Sequence, residues 1–229
     1  MRALVAADGD PTTRAALDAA WPGWDADVAF VVAADGGARL ADALGLTIDQ
    51  WVGDGDSLGP EGLAVLRERG LTIELAAIDK DQSDTELGLE AAAASGATSI
   101  VILGALGGPR PDHALANVAL LGRADMFDRG VEILDPRARI RLLAAVTAPK
   151  DGAVSRIDVS GRVGDIVSLI PLTDASGVST TGLRYALDEA TLSVGRSRTI
   201  SNVREQSSAD IAIRSGRVLV IEAPATFSA

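Results

Sequence analysis

The chain has 229 residues, 47% of them apolar, enough to bury a sizeable core in one large domain or two small ones. Its formal charge of −11 argues against duplex nucleic acid or an anionic membrane as partner, so a phosphate-bearing ligand must arrive with a cation or meet a local positive site. With no cysteine and a single histidine, disulfides, thiolate catalysis and thiolate metal sites are excluded, leaving carboxylates, His113 and backbone groups to carry the chemistry.

In chain order, the first apolar run, residues 3–7, is interrupted at once by Asp8 and Asp10. It is too short for the core of a signal peptide. Nothing later approaches the roughly 20 apolar residues of a membrane span. The expectation is a soluble, cytoplasmic protein.

Up to about residue 135, short β-branched runs alternate with helical ones. Strands are expected at 4–6, 28–33, 51–52, 72–76, 99–103 and 131–134, and helices at 12–20, 38–44, 61–69, 84–94 and 113–123. This alternation predicts an α/β layer with a mostly parallel sheet. Ser83 with Glu86 three residues on reads as a capping box, and Gly45, Gly70 and Gly96 fall where helices end. Pro60 sits where a first helical residue is tolerated. Past Asp135 the texture changes to β-rich runs at 140–143, 166–170, 199–203, 211–213 and 218–221, separated by Gly, Ser and Asp turns. These predict an antiparallel sandwich or barrel. The boundary falls near 136–139, giving domains 1–138 and 139–229.

Three clusters carry the chemistry. In Gly53-Asp54-Gly55-Asp56-Ser57 a strand ends in two carboxylates spaced by one residue, which on extended chain point to the same side. Such a pair suits a hard divalent cation; it also suits an acidic surface turn. The second cluster, Asp79-Lys80-Asp81-Gln82-Ser83-Asp84, enters the capped helix and puts Asp84 at its first position. An acid there complements the helix dipole without any ligand, whereas Lys80 beside a helix N-terminus can contact a phosphate. The third, Gly104-Ala105-Leu106-Gly107-Gly108-Pro109-Arg110-Pro111-Asp112-His113, occupies a strand-to-helix turn on the carboxyl edge of the sheet. There Arg110 offers a fork for phosphate, Asp112 can cap the next helix, and His113 and Asn117 share a helical face. Asp35-Gly36-Gly37 ends the second strand in the same topological position, as a site or as a plain turn. Neither a Rossmann fingerprint nor a Walker A motif occurs. Trp21, Trp24 and Trp51 read as core or interface packing.

Taken in order, Asp35-Gly36-Gly37, Gly53-Asp54-Gly55-Asp56-Ser57, Asp79 to Asp84, and the segment from Gly107 to Asn117 resemble the motifs of the thiamine pyrophosphokinase family. In the β-rich half, Gly182-Leu183-Arg184-Tyr185, Leu192, Ser201-Asn202 and residues 215–220 are similar to further family segments, so the resemblance spans nearly the whole chain. It implies an N-terminal α/β domain for ATP, a C-terminal β-sandwich for thiamine, and a homodimer with thiamine sites between subunits. Catalysis would then be Mg²⁺-dependent transfer of pyrophosphate from ATP to thiamine, giving thiamine diphosphate and AMP.

By position, Asp54, Asp56 and Asp84 match the family's Mg²⁺ and phosphate carboxylates, and Lys80 stands where some members have glutamine. Asp35, Gly36, Gly37, Ser57 and Arg110 would meet the nucleotide. Asp112, with His113 and Asn117 on the same segment, matches the acid near the thiamine and the transferring group, and Ser201 and Asn202 match residues near the thiamine ring. Two departures stand out: Pro109 is an extra residue before Arg110, and Val203 replaces a glutamate common in relatives. The competing readings are a diphosphokinase for another small alcohol, such as a hydroxymethylpterin, and a nucleotide- or thiamine-binding protein without turnover.

Overall fold

The computed structural model of the chain describes residues 1–77, 79–145 and 154–227. The chain divides into two compact units, Met1–Pro136 and Arg137–Ala229, each with its own apolar core.

The first unit alternates strand and helix: β1 (Arg2–Ala6), α1 (Arg14–Ala20), β2 (Val28–Ala34), α2 (Gly37–Ala43), β3 (Gln50–Gly53), α3 (Gly59–Glu68), β4 (Thr72–Leu75), α4 (Asp84–Ala94), β5 (Ser99–Leu103), α5 (Pro111–Leu120) and β6 (Gly130–Asp135). Its strands pair in parallel in the order β6-β5-β1-β2-β3-β4. Parallel strands covered on both faces need apolar residues at every position, and residues 3–6 of β1 and 100–103 of β5 are accordingly all buried. Helix α4 reaches across β1, β2, β3 and β5. Gly88 permits that approach, because a Cβ there would stand 2.8 Å from Cγ1 of Val5.

All three tryptophans are buried in this unit. Each indole N–H finds an acceptor: Trp21 the Asp135 carbonyl at 2.8 Å, Trp24 the Asp18 carboxylate at 2.8 Å, and Trp51 the Asp35 carbonyl at 2.9 Å. Strand order reverses between β1 and β5. Open α/β sheets bind ligands at such a crevice, outside the carboxyl ends of the strands.

The second unit contains β7 (Ala138–Ala145), β8 (Ser155–Ser160), β9 (Ile166–Pro171), β10 (Ala175–Thr181), β11 (Ala190–Leu192), β12 (Asn202–Val203), β13 (Ser208–Ile213) and β14 (Gly216–Ala223). They form two antiparallel layers, β12-β9-β14-β7 and β11-β10-β13-β8. Alternate residues of both layers, Val167 and Leu169, Val218 and Val220, Ile211 and Ile213, meet in one core, which makes the unit a sandwich. At its side Glu222 is buried between two guanidinium groups, accepting from Arg204 and from Arg141 at 2.7 Å each.

The predicted architecture of a parallel α/β domain followed by an antiparallel sandwich is the one observed, with local differences. The expected strand 199–203 is reduced to Asn202–Val203, because Ser201 adopts a left-handed φ of +58° that interrupts extended chain. Strands β8, β10 and β11 were not anticipated. Helix α5 starts at Pro111 rather than His113, since proline is preorganised for a first helical turn. Arg110 is therefore the residue before that helix, and Asp112 lies in its first turn instead of capping it. Among the described residues no helix is long and apolar enough to cross a membrane.

Candidate active site

The loops that leave β1, β2, β3 and β5 at their carboxyl ends, with the entry to α4, surround a cavity of about 470 Å³. Asp8, Asp35, Asp54, Asp56, Lys80 and Asp84 line it, and residues 104–105 and 107–110 form its glycine-rich wall.

Asp35 ends β2 in a left-handed conformation, φ +43°, costly for a residue with a Cβ and typical of functional positions. Its backbone is held on both sides: its N–H donates to the Val52 carbonyl at 2.8 Å, and its carbonyl accepts from Trp51. Gly53 makes room beside it, since a Cβ at Gly53 would fall 2.9 Å from Cβ of Asp35. The side chain is 4% exposed. Oδ2 accepts from the Ser57 N–H at 3.3 Å, while Oδ1 is buried without a hydrogen-bond partner. Burial raises the Asp35 pKa; the Ser57 hydrogen bond works against the rise, and the charges of Asp84 and Asp56 add to it.

One carboxylate oxygen from each of Asp35, Asp54 and Asp56 lies within 4.8 Å of the others. Asp54 accepts from the Asp56 N–H at 3.0 Å, the main reason its pKa is lowered, with Lys80 adding to the effect against the opposing influence of burial. Lys80 extends between two acids, donating to Asp84 at 2.7 Å and to Asp54 at 3.3 Å. Burial opposes its charge, but these two partners hold its pKa above the ordinary lysine value, so it is protonated at neutral pH. Ser83 caps α4 by accepting from the Glu86 N–H at 3.2 Å, which fixes where Asp84 leaves the helix. The Glu86 carboxylate itself accepts from Arg123 at 2.9 Å.

Arg110 lines the cavity and forms a two-pronged ion pair, with contacts of 3.0 and 2.6 Å, to Asp112, which is exposed and is not among the lining residues. That pairing lowers the Asp112 pKa to about 2. His113 lines the cavity. Asn117 also lines it and is buried, donating to the Ala105 carbonyl at 2.9 Å to hold the loop after β5. Gly36 and Gly37 open α2 beside Asp35, and Ser57 donates its hydroxyl to Asp56 at 3.2 Å.

Sequence reasoning grouped Asp54, Asp56 and Asp84 as a metal set and gave Asp35 to the nucleotide. The geometry puts Asp35 with Asp54 and Asp56, and Asp84 on the far side of Lys80. Asp8 and Asp10 were overlooked. Asp8 lines the cavity and pairs with Arg39 at 3.2 Å, while Asp10 accepts from the Gly108 N–H at 2.7 Å and pins the glycine loop. Their signal was present: they too form an Asp-x-Asp at a carboxyl end.

Ser201 and Asn202 belong to the second unit. Asn202 clamps the segment around Tyr185, accepting from its N–H at 3.0 Å and donating to its carbonyl at 2.9 Å. Ser201 donates its N–H to the Ser168 hydroxyl at 2.9 Å.

Fold and site define a class: a two-domain α/β protein with a carboxylate-lined cleft at the switch point of a parallel sheet. Its residues 24–133 match the family model "Thiamin pyrophosphokinase, catalytic domain", and residues 155–218 match "Thiamin pyrophosphokinase, vitamin B1 binding domain". The chain belongs to the thiamine pyrophosphokinase family. A curated relative, the thiamine pyrophosphokinase of Bacillus subtilis (strain 168), is 25% identical over 187 residues, covering 81% of this chain and 83% of the relative. Among solved structures, the Geobacillus thermodenitrificans thiamin pyrophosphokinase is 27% identical with a TM-score of 0.78, covering 97% of each chain. A family protein from Enterococcus faecalis is 25% identical with a TM-score of 0.79, over 97% of this chain and 99% of its own. The yeast enzyme, at 14% identity, shares the fold with a TM-score of 0.69 over 98% of this chain and 86% of its own.

Proposed function

We propose that this chain transfers the pyrophosphoryl group of ATP to the hydroxyl of thiamine, yielding thiamine diphosphate and AMP. The observation that carries the reading is the convergence of Asp35, Asp54 and Asp56 around one point, with Lys80 and Asp84 beside it, in a cleft of nucleotide size. The names of the relatives support the choice of substrates.

The donor set is all carboxylate oxygen, and one oxygen of Asp35 is buried without a partner; both features fit a hard divalent cation such as Mg²⁺. Asp35, Asp54 and Asp56 would hold it, with Asp84 close by through Lys80. When bound, the cation supplies neutralisation of the triphosphate charge that an acidic cleft would otherwise repel.

The thiamine hydroxyl oxygen forms a bond to the β-phosphorus. The bond from that phosphorus to the oxygen shared with the α-phosphorus breaks, AMP leaves with the electron pair, and the hydroxyl proton is lost to water in the cleft as the new bond forms. Lys80 offsets charge on the moving oxygens, and Arg110 reaches the phosphates from the glycine-rich wall. A largely dissociative transition state asks for positioning more than for a strong base. Asp112 accordingly orients the hydroxyl as a hydrogen-bond acceptor; a carboxyl with a pKa of about 2 is a poor proton acceptor. His113 and Asn117 shape the acceptor side of the cleft, Gly36, Gly37 and Ser57 the nucleotide side, and Ser201 and Asn202 present the second unit's thiamine-binding segment. The working form is a cytoplasmic homodimer.

The test incubates purified protein with thiamine, ATP and Mg²⁺ and follows products by chromatography, with a metal-free control. Equal, metal-dependent amounts of thiamine diphosphate and AMP are expected. ADP in place of AMP, or preferential use of a hydroxymethylpterin, overturns the assignment. Asp56→Ala should lower turnover by more than about a hundredfold, exceeding the typical effect of an outer-shell partner, with an unchanged circular-dichroism spectrum.

A further inference from the structure

The start of α4 carries hydrogen-bond donors that the site described above leaves unused. Thr85, the second residue of the helix, is 9% exposed and lines the cavity. Its hydroxyl has no hydrogen-bond partner among the described residues, and its oxygen, unlike Oδ1 of Asp35, is not sealed from solvent. What remains open of this side chain, the hydroxyl included, therefore faces the cavity. The backbone N–H groups of Asp84 and Thr85 are also without partners among the described residues, because the hydroxyl and carbonyl of Ser83 take only those of Glu86 and Leu87. Packing alone does not account for a threonine here, since valine would fill nearly the same volume with no hydroxyl to satisfy.

We propose that Thr85 is a binding residue for the nucleotide, its hydroxyl donating to a phosphate oxygen that the N–H groups of Asp84 and Thr85 also meet. A helix N-terminus suits such an oxygen, since its free N–H groups and the helix dipole both favour negative charge. Neutral donors matter in this cleft because Lys80 already divides its charge between Asp54 and Asp84. For the identity of the ligand, a triphosphate carried in with its cation, the inference rests on the function proposed above. It adds to the acids of the cleft a residue that holds the phosphates without being charged.

Equilibrium dialysis of the full chain with Mg²⁺ and α,β-methylene-ATP, whose carbon bridge the transfer cannot cleave, tests this without turnover. Thr85→Val should weaken binding by roughly tenfold or more, the loss expected for a hydrogen bond to a charged oxygen, and Thr85→Ser should stay within about threefold of the parent. Without nucleotide, Thr85→Val should bind Mn²⁺ as the parent does, and its thermal midpoint in EDTA should not fall. Equal binding of the analogue by the parent and Thr85→Val, or an equal loss in the valine and serine variants, would overturn the proposal. So would absent binding to the parent at millimolar analogue. Weaker Mn²⁺ binding by Thr85→Val would make the hydroxyl a cation ligand instead, and a lowered midpoint would make it a packing group. A protein that binds the analogue in the expected pattern but forms no thiamine diphosphate would count against the proposed reaction and not against this residue.

Discussion

At Asp35 a single side chain sets stability against cation binding. Its folded-state pKa is raised, so its contribution to stability is fully present below the unfolded pKa and is lost as pH rises through the folded value. Above that folded value the ionised carboxylate therefore destabilises the apo protein. Asp35→Asn keeps an acceptor for the Ser57 N–H and removes the charge, so its thermal midpoint in EDTA should exceed that of the parent on the alkaline side, with the gap closing as pH falls toward the unfolded carboxylate value. The same variant should bind Mn²⁺ more weakly by electron paramagnetic resonance. Asp112 behaves in the opposite sense. With a pKa of about 2 it is ionised throughout the working range, so Asp112→Asn should lower turnover without moving the pH–rate profile between about pH 5 and 9. A profile that loses its acid limb in this variant would show a proton-transfer role instead. Neither pairing was visible in the sequence. A carboxylate's partner depends on loop geometry, and Arg110 and Asp112, two residues apart, pair across Pro111, the first residue of α5.

Among elements, α4 was legible to the residue, Asp84 to Ala94, because its start and end are written in local chemistry: a serine cap at one end and Gly96 after the other. β5 was equally plain as a run of buried apolar residues. Strand β10, Ala-Ser-Gly-Val-Ser-Thr-Thr, and β8, Ser-Arg-Ile-Asp-Val-Ser, were not, because small and polar residues dilute the period-two pattern, and their pairing with β13 decides their state. Asp8 and Asp10 were missed for a related reason: they read as the end of an apolar run until the sheet order brings β5 alongside β1. The cap of α4 also positions Lys80 and Asp84. Ser83→Ala should cost about 1 kcal/mol of stability in denaturant titrations. It should also raise the KM for ATP more than it lowers kcat.

For the whole molecule, the two cores lead to separate expectations. In the second unit the buried Glu222 is balanced by two arginines, and Glu222→Ala would leave Arg204, 1% exposed, without a counter-charge. Breaking a buried pair this way costs about 3–5 kcal/mol, which should appear as early loss of the second unit's β signal on heating. In the first unit, saturating Mg²⁺ should raise the thermal midpoint by linkage, about 2.7 kcal/mol at a hundred times the dissociation constant. That gain should vanish in Asp54→Ala. A rise of equal size in the variant would mean that the cation binds elsewhere.

The central position of β1 has a consequence for synthesis on the ribosome. Its partner β2 emerges soon after it, but its other neighbour, β5, begins only at Ser99. Until then a strand whose residues 3–6 end buried presents an open hydrogen-bonding edge, and the acids destined for one cleft leave the ribosome scattered over a half-built sheet. Nascent chains stalled before Ser99 should therefore be sticky, recruiting chaperones or pairing with one another, and chains released after β6 should not.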